Sequence, residues 1–199
     1  MMAPDRDIAA FNQRAPGYED GWLGRLHHEI ANRTADLALA CSPARRILDV
    51  GCGTGFLLRE FAVRAPEAVE LAGIDPAASM IETARATASD DRLRFSVGVA
   101  ERLPYRGEAF DLVVSTTSFD HWADQQAGLA ECARVLAPGG HLVLADQFSA
   151  LLWPTLLAGR RGKARTRARA TRLLTAAGFR FPEWHARYAI TIRAVTATK

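Results

Sequence analysis

Ile47-Leu48-Asp49-Val50-Gly51-Cys52-Gly53-Thr54-Gly55 is the stretch from which the rest of the chain is read. Residues 46–50 form a short β-rich run, and residues 56–64 show helical apolar spacing with Pro66 beyond them as a breaker. Between the two, three glycines stand at alternate positions. Glycine permits a tight turn and a close backbone approach to a ligand, and the helix that follows offers unpaired N–H groups. The same turn also serves as a bare strand-to-helix connection, so it needs support from elsewhere. Its spacing narrows the ligand. A dinucleotide site wants glycine or alanine at the sixth position, where a pyrophosphate rests on the helix; here that position is Phe56. Asp75 closes the next predicted strand, about twenty residues past the glycines, where a carboxylate accepts hydrogen bonds from ribose hydroxyls. The implied ligand contains a ribose and lacks a diphosphate.

Outward from this turn, strands and helices alternate. An amphipathic helix is expected over residues 21–39, closed by Pro43. Downstream, strands are expected over 69–74, 93–97, 110–115 and 141–145, the last two as buried apolar runs. Helices are expected over 77–88, 123–136 and 166–177, with Gly178 as a C-cap and Pro138-Gly139-Gly140 as a hard turn. Residues 188–195 alternate as a final strand. Such alternation predicts a parallel sheet covered on both faces, with ligands at the carboxyl ends of its strands. The expected organisation is one α/β domain over 1–199: a helical cap to about residue 40, a ligand-binding core over about 45–147, and a lid, helix and final strands over about 148–199.

Composition agrees with an ordinary soluble domain, 49% hydrophobic and 24% charged. Cys41, Cys52 and Cys132 are far apart and show no metal spacing, which fits free thiols in a reducing cytoplasm. Residues 1–10 lack the apolar run of a signal peptide, and Pro154 breaks the most apolar late stretch, so neither export nor a transmembrane segment is expected. Arg160, Arg161, Lys163, Arg165, Arg167, Arg169 and Arg172 form one basic cluster. It reads as a solvated helix face or as a track for phosphates, and no aromatic residues interleave it as a single-strand nucleic-acid platform wants.

Five stretches stand together in order. They are Ile47 to Gly55, Gly73-Ile74-Asp75-Pro76, Ala100-Glu101-Arg102-Leu103-Pro104-Tyr105, Phe110-Asp111-Leu112-Val113-Val114, and Arg134-Val135-Leu136-Ala137-Pro138-Gly139-Gly140. In order and spacing the chain resembles class I S-adenosylmethionine-dependent methyltransferases, most of all the ubiquinone- and menaquinone-type group, over residues 18–195. The resemblance implies a Rossmann-like three-layer sandwich, with a mostly parallel seven-stranded sheet whose last strand is antiparallel. It implies S-adenosyl-L-methionine as cofactor. Gly51, Gly53, Thr54 and Gly55 would wrap the methionine part, with Asp49 supporting the loop. Asp75 would hold the ribose, Pro76 would pack near the adenine, Ala100 and Glu101 would lie at its edge, and Thr116 would sit near the methionine end. One position departs. The family usually has an acid before the Ala-Glu pair to accept from the adenine amino group, and here it is Val99. That predicts cofactor binding weaker by about 0.5–1.5 kcal/mol.

The function implied is methyl transfer to a small-molecule O, N or C acceptor. Such a displacement draws mainly on proximity and orientation, and needs a general base only when the acceptor arrives protonated. Ser115-Thr116-Thr117-Ser118-Phe119-Asp120-His121-Trp122 should border the acceptor pocket. It is not the Asn/Asp-Pro-Pro-Tyr/Phe signature of base-amine methyltransferases. No cysteine is placed to attack a pyrimidine, and no acid cluster suggests a magnesium site. His121 is the candidate base, with Asp120 as its helper; the alternative is a histidine that only caps or packs the next helix. Trp122 reads as core. Two segments should cover the pocket, residues 11–33 with Tyr18 and Trp22, and residues 148–161 with Trp153, all three being candidate acceptor contacts. An apolar lid suggests an apolar or aromatic acceptor, or else packing on the domain edge. Rival readings are a nucleic-acid methyltransferase using the Arg160 to Arg172 segment, a non-catalytic S-adenosylmethionine-binding module, and a nicotinamide-dependent oxidoreductase. Phe56 and the lack of a Tyr-x-x-x-Lys pair speak against the last. A small-molecule partner is expected, with no nucleic acid and no bound metal.

Overall fold

Two strands with apolar residues on both faces carry the middle of the molecule, β1 (Arg46–Val50) and β4 (Phe110–Thr116). In β1, Ile47 faces one side of the sheet and Leu48 the other; opposite them in β4, Leu112 and Val113 do the same. This period of two splits the interior into two cores. One joins Ile47, Leu112 and Val143 to the helices α2 (Gly21–Cys41), α3 (Phe56–Arg64) and α4 (Ala78–Thr87). The other joins Leu48, Val113 and Leu144 to α5 (Gln125–Val135) and α6 (Arg167–Ala176). The computed structural model describes residues 3–41, 44–148, 166–188 and 192–199.

The remaining strands are β2 (Glu70–Asp75), β3 (Leu93–Val97), β5 (Leu136–Asp146), β6 (Arg180–Tyr188) and β7 (Ile192–Thr198). All seven form one sheet in the order β3-β2-β1-β4-β5-β7-β6. Pairs among β1 to β5 are parallel, and β7 runs antiparallel to both β5 and β6. This is the Rossmann-like three-layer sandwich that was expected. The order reverses between β1 and β4, so the ligand crevice of such a sheet lies outside their carboxyl ends.

Three expectations need correction. Pro138-Gly139-Gly140 is not a turn ahead of β5 but lies within it. Phe110 pairs with Leu136, the register then slips before Leu112, and Gly139 adopts φ +76°. The Lys199 amide donates to the Gly140 carbonyl at 2.9 Å, so edge pairing continues through the irregular stretch. Second, the expected strand over 188–195 straddles two elements, the end of β6 and the first half of β7. Its alternation continues across the connection, and a period of two does not mark a reversal of direction. Third, within the expected cap a further helix, α1 (Ala3–Arg14), precedes the helix expected over 21–39. It packs on α4, where Ile8, Phe11 and Tyr18 cover Ala77 and Met80. The expected lid over 148–161, with Trp153, and the basic residues Arg160, Arg161, Lys163 and Arg165 fall outside the described residues, save Phe148. Among those described, no helix is long and apolar enough to cross a membrane.

Candidate functional site

The glycine turn leaves β1 at the point of reversal. The amides of Gly51 and Cys52 both donate to the Ile74 carbonyl of β2, at 2.7 and 3.1 Å. Gly51 has φ +79°, and a Cβ there would overlap the Ser118 hydroxyl beyond β4. A side chain would therefore strain the backbone and also push apart the loops that follow β1 and β4. Gly53 differs: at φ +52° its missing Cβ would meet nothing within 4 Å, because it faces the open crevice. Asp75 ties the turn down. Its Oδ2 accepts from the Gly53 amide at 3.0 Å and its Oδ1 from the Ala77 amide at 2.8 Å. Each carboxylate oxygen retains room for a further donor. Gly55 borders neither part of the cleft around the turn; a Cβ there would strike the Phe95 ring at 2.7 Å, so its role is packing.

A cleft wraps this turn in two parts, of about 820 and 490 Å³ with their open mouths included. Tyr18, Gly51, Gly53, Thr116 and Thr117 border both parts. The larger part runs past Asp75, Pro76, Val99, Ala100 and Glu101 towards His121 and Trp122. The smaller part holds Glu19, His27, His28, Asp49, Thr54 and Phe56.

Charge is unevenly distributed along this cleft. Asp49 is 2% exposed, and its Oδ1 has no hydrogen-bond partner among the described residues. Burial, and then the charge of Asp75, push its pKa up to about 8. Burial likewise raises Asp75, against the hydrogen bonds from Ala77 and Gly53 and the charge of His121. The Thr116 hydroxyl is also buried without a partner among the described residues. Orphaned acceptors of this kind are costly unless a ligand donor meets them. Glu19 is the opposite case, already satisfied. Arg59 Nη2 reaches both its oxygens, at 2.6 and 2.9 Å, and His28 lies 3.3 Å away. Burial alone would raise Glu19, but hydrogen bonds from Thr54 and Arg59 and the charges of Arg59 and His28 hold it below its ordinary value. Tyr18 is pushed up to about 12 by burial and by Asp75, and its ring stacks on His27 at 5.0 Å. His28 stacks on Phe56 at 3.8 Å, so the position a pyrophosphate would need is covered by an aromatic pair.

Opposite the turn, a single 3-10 turn, Phe119–His121, carries the candidate base. Its main chain is anchored on the end of β5, where Asp146 Oδ2 accepts from the Asp120 amide at 3.0 Å. Burial raises Asp146 to about 6. The expected helper, Asp120, does not line the cleft. The carboxylate beside His121 is Asp7 of α1, with Oδ2 3.3 Å from Nδ1, and Phe11 meets the imidazole edge to face at 5.1 Å. Trp122 is both core and wall: it is buried, its Nε1 donates to Ser118 Oγ at 3.2 Å, and it borders the larger part. Glu101 borders the same part while accepting from the Asp124 amide at 2.9 Å, at the start of α5.

Most of the expected site residues therefore meet in one cleft. Gly55 and Trp22 do not; Trp22 is 67% exposed and lines neither part. Asp7 and Ile8 were not foreseen; Phe11, Glu19, His27 and His28 lie within the expected covering segment 11–33 but were not singled out. The only sequence signal for the first three was the spacing of Ile8 and Phe11 on one helical face. The combination of an orphaned buried acid, a carboxylate with spare lone pairs and a long apolar-walled arm fits a ligand with a cationic end, a vicinal diol and a flat apolar ring.

Residues 48–144 match the family model described as a methyltransferase domain. The demethylmenaquinone methyltransferase of Deinococcus radiodurans is 48% identical over 111 residues, covering 55% of this chain and 45% of that protein. The demethylmenaquinone methyltransferase of Thermus thermophilus is 43% identical over 143 residues, covering 68% of this chain and 63% of that protein. The chain thus spans about half to under two thirds of the length of these relatives. Among solved structures, the methyltransferase bound to the Trm112 activator of Haloferax volcanii superposes with a TM-score of 0.79 at 22% identity, over 94% of this chain and 96% of that one. At that identity the likeness speaks to the fold.

Proposed function

We propose that this chain is, through residues 48–144, a class I S-adenosylmethionine-dependent methyltransferase, and that it transfers a methyl group from S-adenosyl-L-methionine to a small apolar or aromatic acceptor. The observation that carries this reading is Asp49 Oδ1, buried beside the glycine turn with no hydrogen-bond partner among the described residues, in a cleft continuous with Asp75. Bound there, the cofactor supplies a methyl group already activated on a sulfonium.

The residues of the chain do the rest. Asp49 and the Thr116 hydroxyl receive the amino-acid end, with the backbone of Gly51 and Gly53 allowing close approach. Asp75 accepts from the ribose diol. Pro76, Val99 and Ala100 flank the adenine, and Glu101 stands at its edge. The acceptor sits in the outer arm of the larger part, between Trp122 and the helix α1, whose Ile8 and Phe11 give it an apolar wall. Residues 3–41 act as a cap over this arm, so the acceptor is dehydrated as it is positioned, and orientation supplies much of the rate. The named activity of the two bacterial relatives suggests a quinone-like ring as the acceptor class. His121 takes the proton when the acceptor is a hydroxyl or protonated amine. The free thiols Cys41, Cys52 and Cys132 suit a reducing cytoplasm.

A ligand that binds only the folded state raises its melting temperature. S-adenosylmethionine and its demethylated product should therefore stabilise the protein, and NAD should not. Labelled methyl transfer into a cell extract, divided by solvent partition, should then place the label in the organic phase. Stabilisation by NAD alone, or label only in nucleic acid, overturns the reading. With an acceptor in hand, His121→Ala should keep cofactor affinity and lower kcat by about 10²–10⁴-fold if a proton must leave.

A further inference from the structure

We propose that Asp7, on the N-terminal helix α1, is the positioning residue for His121, so that the base of the site is assembled only when α1 is docked over the cleft. The proposal rests on the reading of His121 as a base. His121 is held in two separable ways. Its main chain is fixed from the sheet: the Asp120 amide donates to Asp146 at the end of β5, and the His121 amide donates to the Ser118 carbonyl at 2.9 Å. Neither contact orients the ring. The ring is held from α1, by Asp7 Oδ2 at 3.3 Å from Nδ1 and by a perpendicular contact with the Phe11 ring.

A carboxylate at one ring nitrogen selects the tautomer that carries its proton there. Asp7 thus places the proton on Nδ1 and leaves the lone pair on Nε2, which no hydrogen bond among the described residues uses. Asp7 and His121 both line the larger part of the cleft. A negative charge at Nδ1 also stabilises the imidazolium that forms as the acceptor proton is taken up. The other acids around the ring do not touch it: Asp75 at the end of β2 is engaged with Gly53 and Ala77, and Asp146 with Asp120 and Gln147.

Docking of α1 is secured independently of this pair. Asn12 Oδ1 accepts from the Ser79 amide at 2.9 Å, satisfying an orphan donor in the first turn of α4, and Ile8 and Phe11 pack near Met80. The Asp7 and His121 side chains are 55% and 42% exposed. A pair this exposed contributes little to stability. Removing Asp7 should therefore leave the fold and α1 in place while misorienting the base.

The test uses the full chain with 15N-labelled histidine. Two-bond 1H–15N spectra report the tautomer of each neutral imidazole, and His121→Gln assigns the signal. The wild type should show the Nδ1–H form at His121. Asp7→Ala should move it towards the Nε2–H form at an unchanged melting temperature, and Asp7→Glu should restore it. In turnover, Asp7→Ala should lower kcat by about 10–100-fold, less than loss of the base itself, with KM for the cofactor unchanged and Asp7→Glu recovering much of the rate. A wild-type tautomer in Asp7→Ala, or a shifted tautomer with wild-type kcat, overturns the proposal. The tautomer measurement needs no cofactor, and wild-type kcat in His121→Gln would instead remove the base reading. The two failures are therefore distinguishable.

Discussion

At one rim of the cleft, Gly53 and Asp75 hold each other across 22 residues of chain through a backbone amide; at the other, His121 is held by a side chain 114 residues away. The first rim is made of main chain and buried carboxylates, at the switch point of the sheet. The second is made of exposed side chains on two elements that the sheet does not join. Damage to the first is steric and affects binding and folding together. Damage to the second should leave the fold intact and appear in the chemical step.

The largest effect should come from Gly51→Ala. The added Cβ overlaps the Ser118 hydroxyl, and the backbone sits at φ +79°. We expect either failure to fold or cofactor affinity reduced by more than about 100-fold, since strain and a core clash together exceed a typical surface substitution. Gly53→Ala is the control. Its Cβ meets open space, so its folding cost is about 1–2 kcal/mol of left-handed strain. Melting curves and titration calorimetry on both variants check this. Equal behaviour of the two would mean that the rim is not rigid where Gly51 meets Ser118.

Next in size is Asp75→Ala. Loss of hydrogen bonds to a charged acceptor costs about 1.5–3 kcal/mol of cofactor affinity, roughly 10–150-fold. The amides of Gly53 and Ala77 lose their acceptor as well. Calorimetry showing full affinity in a folded variant would take Asp75 out of the site.

Asp49 gives a smaller effect with a defined sign. Burial lifts it from 3.8 in a free carboxyl to about 8. Between those values the folded protein keeps a proton that the unfolded chain releases, so stability falls as pH rises. Asp146, lifted to about 6, adds to the fall over the lower part of that window. Asp49→Asn should therefore remove part of the slope and raise the melting temperature of the ligand-free protein near pH 8. The same variant should bind the cofactor more weakly, because a cationic ligand group favours the ionised acid. A wild-type pH slope in Asp49→Asn would show that the buried acid is compensated elsewhere.

The same contrast between rims explains what could be read from the sequence. From β1 to α5, each element carries its own period, and successive strands pair side by side except at the jump from β3 to β4. Boundaries there agree to within a few residues, β5 excepted. β6 was missed because an edge strand tolerates Pro182 and the irregular Phe181 at φ +50°, and neither looks like a strand. In the site, the glycine turn and Asp75 were legible because a strand end followed by glycines has one geometry. Asp7 was not legible. Nothing local in a short polar helix says which loop its carboxylate will face, and Asp120 was the nearer acid in sequence. Trp22 fell outside for the related reason that a helix-start aromatic faces solvent or the cleft according to packing that the period does not decide.

The smallest effect tests whether the adenine lies where the first rim predicts. Val99 is 41% exposed, borders the larger part of the cleft, and stands where the family resemblance implies an acid. Its backbone is fixed independently of its side chain, since its carbonyl accepts from the Arg102 amide at 3.3 Å. Val99→Asp should therefore present a carboxylate to the cleft without moving the strand end. One added hydrogen bond from the adenine amino group is worth about 0.5–1.5 kcal/mol, roughly a two- to tenfold gain in cofactor affinity. Asp7, Asp75 and Glu101 border the same part, so a fourth acid works against itself and the gain belongs at the lower end. The informative measurement is a comparison of two ligands: the demethylated product and an analogue with oxygen in place of the adenine amino group. The wild type, lacking an acceptor there, should discriminate weakly between them. Val99→Asp should bind the amino form more tightly and the oxygen form less tightly, because its carboxylate then faces a carbonyl. If neither affinity nor discrimination changes, the purine does not reach Val99, and the ring would have to lie closer to Trp122 on the opposite rim.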